Sequence, residues 1–228
     1  MTQEKTREAE VSGFMTSLLR RHFGRGPQAV YVTIAPPYMT VQLRGFLTPM
    51  EEGLLRQGDK RRVMQTRDVV MDELRPHIVE ELRQAADLEL KELYMDWDLD
   101  TENAMLIGVL DTEDVREAEW PADIHRDMLV KALSDASEKA EKRPERVDLH
   151  MLSDRIILAE RHQILVRIEK QLIQNGVVEE LKLAKRPIER QVLKEVPLQR
   201  AVSRKIEHYF VEWNFDTDKG FVVLVLEA

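Results

Sequence analysis

Cysteine is absent from this 228-residue chain, which removes disulfides, thiol nucleophiles and thiolate-held metals from the functions open to it. Long apolar runs are missing as well. The longest, Phe221 to Leu226, is far short of the roughly 20 residues that span a bilayer as a helix, so direct membrane insertion is not expected. There is no excess of positive charge: 42 acidic against 34 basic side chains leave a net charge of −8, and no overall field gathers nucleic acid. The runs Arg20-Arg21-His22-Phe23-Gly24-Arg25 and Lys60-Arg61-Arg62 read as solvated helix ends. A Walker loop, a dinucleotide fingerprint and a nucleophile elbow are all lacking. No two of the six histidines have the spacing of a metal-binding helix face. No cofactor and no enzymatic activity are expected. Met1 to Glu8 is polar, without the apolar core of a secretory leader, and the reading is a soluble, cytoplasmic protein.

What is present is an internal repeat. Tyr94-Met95-Asp96-Trp97-Asp98-Leu99-Asp100-Thr101 returns as Phe210-Val211-Glu212-Trp213-Asn214-Phe215-Asp216-Thr217, with the tryptophans 116 positions apart. A period of half the chain points to duplication of a whole folding unit and not to a solenoid, whose period is roughly 20–50 residues. The expected domains are residues 1–112, an acidic linker over 113–123 containing Trp120-Pro121, and residues 124–228.

Local patterns supply the elements of each copy. Val11, Phe14, Met15, Leu18, Leu19 and Phe23 recur at helical spacing up to Gly24. Two β-branched and aromatic runs around Pro36-Pro37 predict a hairpin over 29–35 and 38–46. Thr48-Pro49-Met50-Glu51 is a capping box with proline at the first helical position. A longer helix is predicted over 60–86, kinked or broken at Pro76, and a second hairpin closes the copy. The second half repeats this order, with a helix predicted from Val177 to about Glu207 and interrupted at Pro187 and Pro197. The fold class is α+β: two tandem α-β-β-α-α-β-β repeats, each a four-stranded, mainly antiparallel sheet with helices on one face. Two such units can pair about a pseudo-twofold axis.

Gly24-Arg25-Gly26-Pro27, followed by Leu43-Arg44-Gly45-Phe46-Leu47-Thr48-Pro49-Met50-Glu51, gives residues 10–112 a pattern that resembles the MpsC-like family, associated with a sodium-translocating, membrane-potential-generating system. Arg67 on the following helix also fits. The second half departs from the pattern: Glu141-Lys142-Arg143-Pro144 replaces the Gly24 segment, and counterparts of Gly45 and Thr48 are missing, while Glu169, Leu172 and Gly176 match Glu51, Leu54 and Gly58. The resemblance implies a non-enzymatic accessory or regulatory protein. It would act through a protein partner such as a membrane ion-transport subunit, and self-association stays open.

Two site readings accompany this one. Gly24, Arg25, Gly26, Arg44, Thr48 and Arg67 are candidates for binding a small anion or nucleotide, through backbone amides and guanidinium groups, which would make the protein a sensor. Glycine at a helix stop explains Gly24 equally well. Asp96, Asp98 and Asp100 line alternate positions of a strand and are weak candidates for a divalent cation. They fail the calcium-loop template, and the face they share is expected to lie in solvent. Trp97 and Trp213 are read as core.

Overall fold

A computed structural model describes residues 6–227. The chain divides into two compact units, Met1–Arg116 and Glu117–Ala228. The first contains, in order, α1 (Arg7–Phe23), β1 (Ala29–Ala35), β2 (Tyr38–Arg44), α2 (Pro49–Arg56), α3 (Lys60–Ala86), β3 (Leu90–Asp98) and β4 (Asn103–Leu110). The second repeats the series as α4 (Arg126–Ala140), β5 (Arg146–Met151), β6 (Ile156–His162), α5 (Arg167–Gln174), α6 (Val178–Glu195), β7 (Ile206–Asn214) and β8 (Lys219–Leu226), with a 3₁₀ turn at Leu198–Arg200.

Each sheet is antiparallel throughout, and the orders match: β1-β2-β4-β3 and β5-β6-β8-β7. The duplication extends to backbone details. Gly58 and Gly176 both have φ near 78°, and Glu102 and Asp218 share φ 54°. Gly45 at φ 60° has Gln163 at φ 60° as its counterpart, so the turn keeps its left-handed shape after losing its glycine.

Helix ends follow local chemistry. The Thr6 hydroxyl accepts from the Ala9 amide to start α1, and Gly24 ends it in the left-handed region at φ 73°. Proline had weaker effects than its sequence suggests. α3 and α6 run unbroken through Pro76 and Pro187. The buried stripe Met71, Leu74, Ile78 and Leu82 flanks Pro76 on both sides and outweighs the roughly 3 kcal/mol that an interior proline costs. Pro197, by contrast, does end the helix. Val196 before it is extended at ψ 151°, as the pre-proline clash requires, and the segment predicted to stay helical to Glu207 instead enters β7 at Ile206.

Leu129, Leu133, Ala136, Val192 and Leu193 from the helices meet Met151, Ile157, Ala159, Val211, Trp213 and Val222 from the sheet in the core of the second unit. The segment preceding α4 is docked onto that unit: the Ala118 amide donates to the Met151 carbonyl at 2.8 Å, and Trp120 packs against the core.

Gly45 accounts for one testable cost. A Cβ there would lie 2.3 Å from the Gln28 side chain. Gln28 is exposed and can swing away, so Gly45→Ala is expected to lose about 1–2 kcal/mol from the positive φ alone. Its denaturation midpoint checks this.

Candidate functional site

The capping box at the start of α2 is the foundation of the polar centre in the first unit. The Thr48 hydroxyl accepts from the Glu51 amide at 3.3 Å, and the Glu51 carboxylate accepts from the Thr48 amide at 2.8 Å. That same carboxylate receives Arg67 from α3 in a two-pronged pair, Nε to Oε1 at 2.6 Å and Nη2 to Oε2 at 2.8 Å. Nη2 donates also to the Phe46 carbonyl at 2.9 Å. The guanidinium carbon lies 4.3 Å from the Trp97 ring centre and 5.0 Å from that of Phe46, within cation–π range. Arg67 is only 1% exposed. Burial pushes the Glu51 carboxyl upward, but the hydrogen bonds and charge of Arg67 outweigh it and hold the group below the usual carboxylate range.

Of the six candidate ligand residues, the structure joins Thr48 to Arg67 through Glu51. Arg25 lies outside this hub: its Nη1 donates to the Leu47 carbonyl at 3.1 Å and stands 3.6 Å from Glu52. Gly24 is the helix stop, and Gly26 sits against the Arg20 side chain, with 3.6 Å between a hypothetical Cβ and Nε. Arg44 is exposed at the end of β2.

The acidic strand face is not in solvent. Asp96 is 0% exposed and Asp98 is also buried, which corrects the expected wet face. Alternation sorted the side chains onto two faces without deciding which face meets water. Asp98 accepts from the Asp100 amide at 3.1 Å, and exposed Asp100 pairs with Lys60 at 2.6 Å. Among the described residues, no group of three or more histidines, aspartates or glutamates is arranged to hold a metal ion. Trp97 and Trp213 are core residues, as read.

The second unit rebuilds the same centre with different charges. Glu169 replaces Glu51, and its carboxylate still accepts from the Val166 amide at 2.9 Å, although valine cannot return the hydroxyl half of the box. Lys185 replaces Arg67 and donates to Glu169 at 2.6 Å. New ionic groups surround this pair. Arg161 stands where the first unit has Leu43, and Glu189 where it has Met71. They pair at 2.6 Å, the other Glu189 oxygen accepts from Trp213 Nε1 at 2.7 Å, and Arg161 Nη1 donates to the Ser137 hydroxyl at 2.8 Å. Arg186 pairs with Glu212 at 2.6 Å. Glu141 at the end of α4 hydrogen-bonds Lys185.

The sequence singles out Arg67 as a ligand candidate and not as the buried partner of Glu51, and leaves Arg161, Lys185 and Glu189 unmarked. A signal existed: Leu181, Lys185, Glu189 and Val192 follow the three-to-four spacing of a buried stripe, where a charge requires a partner.

Residues 3–112 match the family model described as the Na+-translocating membrane potential-generating system (MpsC). Neither the curated proteins nor the solved structures compared with the chain gave a match. Among the described residues no helix is long and apolar enough to cross a membrane. The matched segment spans all seven elements of the first unit and carries its Thr48–Glu51–Arg67 hub; residues 3–112 belong to the MpsC family.

Proposed function

We propose that the chain is a non-enzymatic accessory or regulatory protein of a membrane cation-transport system that generates membrane potential, and that it works by binding a protein subunit of that system. The observation that carries this reading is the family match over residues 3–112, whose description names such a system. The described helices include none able to cross a bilayer, so the reading assigns the ion path to the partner.

The burial of Arg67 favours this reading over a small-anion sensor. Two of its three nitrogens are already engaged by Glu51 and Phe46 inside the protein, so of the three candidate arginines only Arg25 and Arg44 are exposed. Met50, six positions after Arg44 in the chain, is 69% exposed on the first turn of α2. An exposed methionine and exposed arginines on one short stretch of chain suit a protein contact, where Met and Arg are enriched.

Affinity capture of the full chain from native membranes, with mass spectrometry of what is retained, tests the proposal. Subunits of a cation-transport complex are expected, and Arg44→Glu with Met50→Asp is expected to reduce their recovery at least about tenfold, in line with loss of ~1.4 kcal/mol or more of binding. Ile168→Asp, at the position matching Met50 in the second unit, is expected to leave recovery unchanged. Recovery without any transport subunit, or equal loss in both variants, contradicts the assignment of the contact to the first unit.

A further inference from the structure

Glu141 occupies the place of Gly24, the residue that ends the first helix of the first unit. In the first unit the space over the Arg67 pair is filled by rings: Phe23 and Phe46 meet edge to face at 5.3 Å between centres. Ala140 and Ile164 replace those rings in the second unit, and the Glu141 carboxylate reaches Lys185 instead. The side chain of Glu141 is 17% exposed, while Lys185, Glu169 and Glu189 are nearly sealed.

The charges around Glu141 are unbalanced. From α6 it meets Lys185, with Glu189 3.7 Å beyond that ammonium, and from α5 comes Glu169. From β6, Arg161 neutralises Glu189. Beside it in the chain, Arg143 is bound by Asp135 and Glu138, and so is turned to other carboxylates. His162, whose carbonyl accepts from the Glu145 amide, pairs with Asp148. Arg186 of α6 is paired with Glu212 of β7, and among Glu141, Glu169, Glu189, Lys185 and Arg161, ionised Glu141 makes three carboxylates against two cations, whereas neutral Glu141 leaves two against two.

We propose that the Glu141–Lys185 contact is a proton-controlled latch: with Glu141 protonated, the segment that follows α4 is held to α6 through Lys185, and ionisation releases it to water. The latch belongs to the second unit and does not rest on the proposed partner of the first. Burial pushes the Glu141 carboxyl up to about 7; Lys185 draws it down, while Glu189 and Glu169 push it further up. The release thus falls near neutral pH. The sign follows from linkage. The folded chain binds this proton more tightly than the unfolded chain, so the stabilisation is complete below the unfolded value and is lost as pH rises through the folded one.

Hydrogen exchange of the full chain, corrected for intrinsic exchange rates, reads the latch directly. Protection of the peptide over 138–146 is expected to fall about tenfold between about pH 6 and about pH 8.5. Glu141→Gln keeps the shape without the charge and is expected to stay protected at both values. Glu141→Ala removes the contact and is expected to exchange fast at both, with β6 and β8 still protected as proof of folding. Glu141→Gln also separates this effect from pH effects elsewhere in the chain. Residues 24–28 of the first unit, which have glycine in place of the carboxylate, are expected to show no such dependence. Uniform protection across the range in the native protein, or a Glu141→Gln variant that follows the native pH profile, overturns the latch.

Discussion

Arg67→Ala is expected to destabilise the first unit by about 3–5 kcal/mol, the usual cost of removing one member of a buried, hydrogen-bonded ion pair. The reason lies in what remains. Glu51 is 5% exposed and would have to stay charged without its partner or take up a proton. The Phe46 carbonyl would lose its donor, and the Trp97 and Phe46 rings would lose the cation between them. Arg67→Lys is expected to cost less, about 1–3 kcal/mol, because an ammonium neutralises Glu51 but cannot reproduce the planar fork. The second unit already uses lysine there, and has rebuilt its surroundings to do so. Since the Glu51 carboxyl is held below its usual range, its contribution is present above the unfolded value and lost as pH falls through the folded one. The loss of stability in Arg67→Ala should therefore shrink on acidification. Denaturant titration measures the magnitude, and hydrogen exchange in α3 and β3 assigns it to the first unit. A loss below about 1 kcal/mol would mean that the pair behaves as an exposed one.

The hub shows how far the sequence can be read and where it stops. Thr48, Pro49 and Glu51 lie within four residues, so their capping geometry is dictated locally and was legible. The partner of Glu51 is 16 positions away on another helix. Periodicity places Arg67 on the stripe of Val63, Met71 and Leu74, but cannot say what it meets there. The duplication was legible for the same local reason: each copy has its own turns, strand alternation and tryptophan. The burial of Asp96 was not, because a period of two separates faces and carries no information on what covers them. Pro197 was recognised as a breaker, yet the apolar spacing beyond it was assigned to helix; the switch from helical to strand period occurs within about ten residues, too short a window for either pattern to establish itself.

The largest difference between the units is also open to a direct exchange. In the first, Leu43, Ala104 and Trp97 form one row across β2, β4 and β3; in the second the row is Arg161, Gly220 and Trp213. A Cβ on Gly220 would lie 2.9 Å from Arg161 Nη2 and 2.7 Å from Ile164 Cδ1, so glycine there makes room for the guanidinium. Arg161→Leu alone leaves Glu189 buried and sharing Lys185, 3.7 Å away, with Glu169 and Glu141, and is expected to cost about 3–5 kcal/mol. Adding Glu189→Met and Gly220→Ala recreates the apolar row of the first unit. It removes the stranded charge and fills the space beside the shorter side chain. Replacing a buried ion pair by packed apolar groups is often neutral or stabilising by about 1–4 kcal/mol, against which the loss of the acceptor for Trp213 Nε1 costs about 1–3 kcal/mol. The triple variant is therefore expected within about 2 kcal/mol of the native protein and well above the single one. Denaturation midpoints of the two variants decide the matter. Recovery would mean that the ion pair is not needed for the stability of this fold, which the first unit achieves without it. A triple variant as unstable as the single would mean that the second unit has reorganised around its charges so far that the apolar solution no longer fits.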